Sequence, residues 1–212
     1  WIKPEVAALA LAADGVRVDP AWQRLHWNEN PYEFPPQLKQ LVIERLDRAG
    51  WTPYPAALRP WALIERIAAA HGVAPDQVVV GAGATDLIRV ILSSVLRRGD
   101  TLVLPTPTFL LYRPGAEVQG ANCAAIPLRA EDGFALPLPA LAEAAAAPAV
   151  RLTVVCAPNN PTGTVYSVDN LAHRGGLTAT VHIVHPGLGV GGHELVAIPA
   201  AGAHGGPTQT RR

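Results

Sequence analysis

The feature that most constrains the fold is an alternation of short apolar runs and helical segments that begins near Asp76. Apolar runs of strand length occupy 77–81, 101–105, 123–128 and 151–157. Helical segments lie between them, at 84–99, 109–120 and 138–147. Near-continuous apolar strands that alternate with helices are typical of a parallel sheet covered on both faces. The sequence therefore predicts an α/β fold.

Bulk composition limits the functions open to this chain. Lys+Arg and Asp+Glu number 17 each, so there is no basic field of the kind that nucleic-acid binding uses. No apolar run approaches the roughly 20 residues of a membrane span, and the first residues lack the pattern of a signal peptide. The two cysteines, Cys123 and Cys156, are isolated, which favours reduced thiols in a cytoplasmic protein. We therefore expect neither nucleic acid nor a membrane as a partner.

The chain changes character twice along its length. Helix candidates at 5–13, 36–49 and 58–70 flank loop sequence rich in proline and aromatic residues. After Leu171 the sequence holds 9 of the 19 glycines and 5 of the 7 histidines, with no aspartate, lysine or aromatic residue. Apart from a possible strand at 178–185, it lacks the periodicity of the preceding domain. We therefore predict that residues 172–212 form a disordered tail unrelated to that domain.

The segment VVVGAGATDLI joins the first apolar run to a helix. Its glycines allow a tight turn, and the unsatisfied amides of Ala84 and Thr85 at the helix N-terminus could bind an anion. Thr85 and Asp86 also carry side chains that can cap a helix or contact a ligand. A plain strand-to-helix turn explains the same residues, and a short GxG motif does not decide between the two interpretations.

Two further motifs follow the apolar runs at 101–105 and 151–157. In PTPTFLLY, Phe109 could stack on a planar ring, or it could pack in the core with Tyr112. In CAPNNPTG, a turn could present an asparagine amide to a ligand oxygen, or the asparagine could form a structural Asx turn. Ligands of open α/β sheets bind at the carboxyl ends of the strands. We therefore expect both motifs at one edge of the sheet.

Metal binding is the weakest of the candidate functions. The tail places His182 and His185 three residues apart, but its histidines are irregularly spaced and lack a second, well-spaced ligand pair. We therefore predict no metal site.

The loops HWNENPY and TPYP carry other polar and aromatic candidates, which could equally lie on an inert surface.

Taken together and in this order, the motifs resemble the fold-type-I aminotransferases that use pyridoxal 5'-phosphate (PLP), and most closely the histidinol-phosphate aminotransferases. The resemblance runs from about Trp22 to Leu171, and its carriers are NENPYEFP, YPAALRPWALIERIAAAHGVAPDQVVVGAGATDLI, PTPTFLLY and CAPNNPTG. It implies that residues 1–50 are an N-terminal arm and a small-domain segment, and that 51–171 are a partial PLP-binding large domain. The implied fold is an incomplete PLP-transferase-like parallel-sheet domain preceded by a helical and loop arm.

The resemblance also implies a set of cofactor contacts. The amides of Ala84 and Thr85 would hold the cofactor phosphate, with Asp86 beside it. Phe109 would stack on the pyridine ring, and Asn160 would bond its phenolic oxygen. These residues suit the cofactor because PLP is a flat, anionic, phosphorylated ring that the protein must hold at a fixed tilt.

Further contacts implied by the resemblance come from the upstream loops. Tyr54 would reach the phosphate of the neighbouring subunit's cofactor, which makes a homodimer the expected assembly. A small-molecule substrate, histidinol phosphate, would exchange its amino group with 2-oxoglutarate in histidine biosynthesis. Its pocket would be lined by Asn28, Asn30 and Tyr32.

The lysine content departs from the family pattern. In the family, an aspartate for the ring nitrogen and a lysine for the Schiff base follow the NNPTG motif. Here the only lysines are Lys3 and Lys39, both upstream of every cofactor motif, and no aspartate follows Asp169. We therefore predict that the chain as written has no catalytic lysine and is inactive. The compositional break after Leu171 favours a frame shift or premature truncation.

Other functions remain open at this point. A threonine-phosphate decarboxylase, or another class I/II aminotransferase, would share these motifs and differ in substrate. A non-catalytic remnant of the PLP fold would explain the missing lysine. A Rossmann-type nucleotide-binding module is disfavoured, because GAGATD is not G-x-G-x-x-G and no acidic residue ends the second strand.

Overall fold

The computed structural model describes residues 32–52, 54 and 57–166, the single positions 4, 19 and 21, and the backbone of 194–198. The helices are α1 (Pro36–Arg48), α2 (Trp61–His71), α3 (Ala84–Val95), α4 (Tyr112–Glu117) and α5 (Leu138–Ala145). The strands are β1 (Thr101–Thr106), β2 (Asn122–Pro127), β3 (Val150–Ala157) and β4 (Glu194–Ile198). Short 3₁₀ helices occupy Pro75–Gln77 and Ala130–Asp132. The chain divides into two compact units, one formed by Gln23–Ala82 and the other by Trp1–Trp22 with Gly83–Arg212.

The larger unit contains a four-stranded sheet in the order β2-β1-β3-β4. β1 is parallel to both of its neighbours, and it pairs with β2 along its full length, from Thr101 opposite Asn122 to Thr106 opposite Pro127. β4 is antiparallel to β3. The predicted α/β fold with a parallel sheet is confirmed.

Helices pack on both faces of this sheet. On one face, Ile88 and Leu92 of α3 and Ala116 of α4 pack with Leu104 and Val154 of the central strands. On the other face, Leu141 of α5 packs with Val103 and Val155. Adjacent strand residues point to opposite faces, so Val154 and Val155 serve the two cores in turn. This double coverage explains why β3 is apolar along nearly its whole length.

The smaller unit is built around α2 and the segment that follows it. Ile64, Ala68 and Val78 form its buried core. The predicted helix at 58–70 begins only at Trp61, because the residue before a proline is disfavoured in helical conformation and Pro60 restricts Arg59. The guanidinium of Arg59 lies 4.5 Å from the centre of the Trp61 ring and donates to the carbonyl oxygen of Val78 at 3.3 Å. The predicted helix at 36–49 is present as α1, one residue shorter.

The predicted strand at 77–81 is wrong. Gln77 ends a 3₁₀ helix, and Val78 has extended backbone angles but belongs to no described ladder. An apolar, extended run becomes a strand only when a neighbouring strand pairs with it, and the described residues offer none here. Val78 is instead buried against α2.

Three other helices are shorter than their sequence patterns, and the pattern at 138–147 ends at Ala145. The pattern at 84–99 ends at Val95, and the Arg97 backbone N–H donates to the Asp100 carboxylate at 2.8 Å in the turn that follows. The pattern at 109–120 contracts to Tyr112–Glu117, in which Pro114 lies within the first turn, where a helix tolerates proline. Gly115 allows this short helix to approach α3, since an added Cβ would lie 2.6 Å from Cδ1 of Leu92.

Within the segment after Leu171, the structure describes one strand. β4 pairs with β3 from Glu194 opposite Ala157 to Ile198 opposite Thr153. The helix predicted at 5–13 and the possible strand at 178–185 lie outside the described residues. Among the residues that are described, no helix is long and apolar enough to cross a membrane.

Candidate cofactor site

The motifs PTPTF and CAPNNPTG leave the sheet at the carboxyl ends of adjacent strands. β1 and β3 are neighbours in the sheet, although β2 and two helices lie between them in sequence. They are parallel, so Thr106 and Ala157 lead into loops at the same edge. The expectation that both motifs share one sheet edge is therefore met by the topology, and this edge is where ligands bind in open α/β sheets.

The first asparagine of the doublet, Asn159, is buried and ties the two loops together. Its side-chain amide donates to the carbonyl oxygen of Pro107 at 3.0 Å and to the hydroxyl of Thr162 at 2.8 Å. Its backbone N–H donates to the Thr164 carbonyl at 2.7 Å, and its own carbonyl accepts from the Gly163 N–H at 2.6 Å. Asn159 therefore has a structural role in this motif, through donation from its side-chain amide rather than through an Asx turn.

The second asparagine, Asn160, has a different environment. Its side chain is partly exposed, and no hydrogen bond joins it to the part of the chain that the structure describes. The turn around it is fixed by its neighbours, including Gly163 at φ 72°, a backbone angle that favours glycine. A held backbone with an uncommitted side-chain amide leaves Asn160 able to donate to an oxygen of a ligand.

The aromatic residue of the first loop, Phe109, lies against the core rather than in open solvent. It is partly buried, packs on the cluster that includes Leu104 and Ile88, and contacts the ring of Tyr112 edge-on. Tyr112 is buried beneath it, and the Cys156 thiol is close enough to influence its phenol. Burial, followed by the influence of Cys156, raises the pKa of the Tyr112 phenol far above its ordinary value. Phe109 therefore packs against the core and still exposes part of its ring, which a ligand could contact.

The N-terminus of α3 provides the third element of the site. Gly83 precedes the helix at φ 93°, a backbone angle that residues with a side chain rarely adopt. Because glycine occupies the N-cap, no side chain caps the helix there. The amides of Ala84 and Thr85 lie in the first turn, where helical N–H groups have no partner four residues earlier. Ala84 packs on the same apolar cluster as Phe109, which places this helix end on the same side of the sheet.

The remaining predicted site residues fall into two groups. Asp86 lies on the first turn of α3 and is exposed, in the same unit as Phe109 and Asn160. Tyr32 and Tyr54 belong to the smaller unit, with relative exposures of 80% and 92%. The predicted substrate residues Asn28 and Asn30 lie outside the described residues.

The structure also describes one of the two lysines. Lys39 lies on α1 in the smaller unit, with its ammonium nitrogen 3.7 Å from the carboxylate of Glu33. Lys3 lies outside the described residues. No group of three or more potential metal ligands occurs among the residues that the structure describes.

The larger unit is an α/β domain whose parallel strands β1 and β3 end in polar loops at one edge, and the N-terminus of α3 packs on the same side of the sheet. The sequence model of the family of class I and II aminotransferases matches residues 22–173, which is most of the chain. The chain therefore belongs to the class I and II aminotransferases, a family that generally depends on PLP.

Relatives with assigned names give a finer comparison. The chain is 37% identical over 148 residues to the histidinol-phosphate aminotransferase of Symbiobacterium thermophilum, a match that covers 70% of this chain and 39% of that enzyme. It is 34% identical over 148 residues to the enzyme of the same name from Chlorobium luteolum, covering 70% and 41%. The crystal structure of an aromatic aminotransferase from Pyrococcus horikoshii superposes with a TM-score of 0.58 at 28% identity, covering 68% and 40%. The chain thus matches about two fifths of the length of these relatives.

The described residues suit a phosphorylated planar ring. Helix amides at Ala84 and Thr85 offer donors to a phosphate, Phe109 offers an aromatic surface, and the Asn160 amide lacks a partner in the described chain.

Sequence reasoning missed Asn159. Its signal was present, because a polar residue that closely follows an apolar strand end must find hydrogen-bond partners if it is buried.

Proposed function

We propose that this edge of the sheet is part of a PLP site and that the chain is a portion of a histidinol-phosphate aminotransferase. The observation that carries the proposal is the hydrogen bond from Asn159 to the carbonyl of Pro107, because it joins the loops that bear Phe109 and Asn160. The family match and the printed names of the relatives support the same function.

Each residue of the site has a separate task in this proposal. The amides of Ala84 and Thr85 bind the phosphate at the positive end of the α3 dipole, where an anion is stabilised. Phe109 orients the ring by contact with its face, supported from below by Tyr112. Asn160 donates to the phenolic oxygen. Asp86 adjoins the phosphate and orders the first helical turn.

When bound, PLP acts as an electron sink for bonds to the α-carbon of an amino acid. The residues described here bind and orient the ring but include no amine beside it, and the two lysines of the sequence precede every cofactor motif. We therefore expect the 212-residue chain to hold PLP through its phosphate and ring contacts, without transferring amino groups by itself.

The substrate and the assembly follow from the relatives and the exposed tyrosines. Histidinol phosphate is the substrate that the names of the relatives suggest, with Asn28, Asn30 and Tyr32 at its pocket. Tyr54 is almost fully exposed, which suits a side chain that reaches the cofactor of a second copy in a homodimer. A non-catalytic role as a PLP-fold remnant is the second candidate, favoured by the absence of a lysine after the NNPTG motif.

A PLP titration of the purified full chain tests the proposal. Visible circular dichroism reports a ring held in one orientation, and competition by inorganic phosphate reports the helix N-terminus. We expect saturable binding that phosphate competes with, no formation of glutamate from histidinol phosphate and 2-oxoglutarate, and no stoichiometric lysine label after borohydride reduction. Absence of saturable PLP binding would refute the proposed cofactor site. Turnover together with one labelled lysine would refute the proposal that the chain is inactive.

A further inference from the structure

We propose that Asn159 is a positioning residue, which holds the loops after β1 and β3 at a fixed separation so that Phe109 and Asn160 contact the same ring. This inference rests on the proposed function, because the ring is that of PLP. Asn159 itself contacts no ligand in this account and acts through the two residues that do.

The pairing between β1 and β3 ends before the carboxyl ends of the two strands. β1 and β3 pair only from Thr101 opposite Val150 to Val103 opposite Thr153, although both strands continue beyond these positions. The last residues of the two strands are therefore not joined to each other by a ladder. The loops beyond these carboxyl ends lie where ligands of open α/β sheets bind.

The Asn159 side chain joins the two loops beyond the paired positions. Its amide nitrogen bonds the Pro107 carbonyl, a contact between residues 52 positions apart in sequence. The second hydrogen of the same amide goes to Thr162, inside the turn that carries Asn160. One side chain thus connects the turn that carries Asn160 to the loop that leads into Phe109.

Burial and partner chemistry fix the orientation of this amide. Asn159 is 3% exposed, and it is one of two buried polar side chains among the described residues, the other being Thr153. A reversed amide would bring its oxygen against the Pro107 carbonyl oxygen, which offers no hydrogen. The Pro107 carbonyl therefore selects the donor end of the amide. Loss of this donor leaves a carbonyl without its partner and frees the two loops to separate.

The test compares Asn159→Ala and Asn159→Leu with Thr162→Val in the full chain. The leucine variant keeps most of the side-chain volume, and the threonine variant removes bonds within the turn while it leaves the Asn159–Pro107 bond intact. We measure the affinities for PLP and for inorganic phosphate, the visible circular dichroism of bound PLP, and the thermal midpoint of each variant.

We expect both Asn159 variants to lose about tenfold in PLP affinity, the equivalent of one buried hydrogen bond with a desolvated partner. Their phosphate affinity should stay at the wild-type value, because α3 is not changed. The circular dichroism per bound PLP should fall, since the ring is no longer held by both loops. Thr162→Val, which keeps the bond between the two loops, should lose less PLP affinity than either Asn159 variant.

Three results would overturn the inference while the proposed function stands. These are equal losses in Thr162→Val and Asn159→Ala, parallel losses of PLP and phosphate affinity, and unfolding of both Asn159 variants while Thr162→Val folds. The last result would give Asn159 a purely structural role. Failure of the wild-type chain to bind PLP would refute both the inference and the proposed function.

Discussion

The ring of Tyr112 contacts that of Phe109 edge-on, with centroids 5.8 Å apart and ring planes at 73°. This geometry is favourable for aromatic pairs, because the positive edge of one ring faces the negative face of the other. Tyr112 is buried and Phe109 is partly exposed, so the contact joins the core to the candidate site.

Truncation of Tyr112 should therefore weaken the fold as well as the site. We expect Tyr112→Ala to lower the free energy of unfolding by about 3–5 kcal/mol, as for other large aromatic side chains removed from a core. The matched control is Leu110→Ala, because Leu110 is 71% exposed and its removal should cost at most about 0.5 kcal/mol. Urea unfolding of both variants measures the difference, and equal costs would contradict the burial of Tyr112.

The buried phenol should also make stability depend on pH in alkaline solution. Burial raises the pKa of Tyr112, so the folded state keeps the proton after the unfolded state has lost it. The stabilisation is fully present below the unfolded pKa of about 10 and is lost as pH rises from there through the folded pKa. Unfolding free energies measured from pH 8 to 11 should decline above about pH 10, and less steeply in Tyr112→Phe. An identical decline in both proteins would count against this assignment.

The hydroxyl of Thr153 offers a route to a more stable protein. Thr153 is fully buried in β3, and its Oγ1 has no hydrogen-bond partner among the described residues. Replacement by the isosteric valine removes an unsatisfied polar atom, and we expect Thr153→Val to stabilise the chain by about 1 kcal/mol. The reverse change at a second buried position of the same strand, Val155→Thr, should destabilise it by about 1–3 kcal/mol. Denaturant midpoints with unchanged slopes report both effects, and a destabilised Thr153→Val would show that the hydroxyl has a partner.

The Asp100 carboxylate should contribute more to stability through its backbone contact than through its ion pair. It accepts from the Arg97 N–H at 2.8 Å and from Nε of Arg151 at 3.3 Å, and the Arg151 side chain is 43% exposed. We expect Asp100→Ala to cost about 1–2 kcal/mol and Arg151→Ala less than about 1 kcal/mol. Arg129→Ala, which breaks the more exposed pair with Glu131, is the control and should have no measurable effect. A larger cost for Arg151→Ala than for Asp100→Ala would reverse this ranking of the two contacts.

The sequence predicted the sheet domain well because its elements are specified locally. The strands at 101–105, 123–128 and 151–157 have apolar runs of the right length, and each lies within a residue or two of its observed bounds. The run at 77–81 failed for the opposite reason: strand formation depends on a partner, and apolar composition carries no information about which partner is present.

The candidate site was only partly visible in the sequence. The motifs indicated that the loops after β1 and β3 share an edge, since parallel strands require it. The different roles of Asn159 and Asn160 were not predictable, because they depend on which of the two side chains bonds the loop after β1. A contact between residues three apart in one turn, such as Asn159 and Thr162, can be predicted from their spacing. The contact between Asn159 and Pro107, which lie 52 residues apart in sequence, depends on the tertiary fold.

Amide chemical-shift mapping by NMR, with PLP added to the isotopically labelled full chain, tests the central claim most directly. Shifts should cluster at the non-proline residues of three segments, at 83–87 on the α3 N-terminus, at 108–110 after β1 and at 159–163 after β3. Inorganic phosphate alone should move the first cluster and leave the other two in place, because only the helix amides bind the phosphate. Saturable PLP binding that leaves all three segments unshifted, with changes confined to other parts of the chain, would contradict the account.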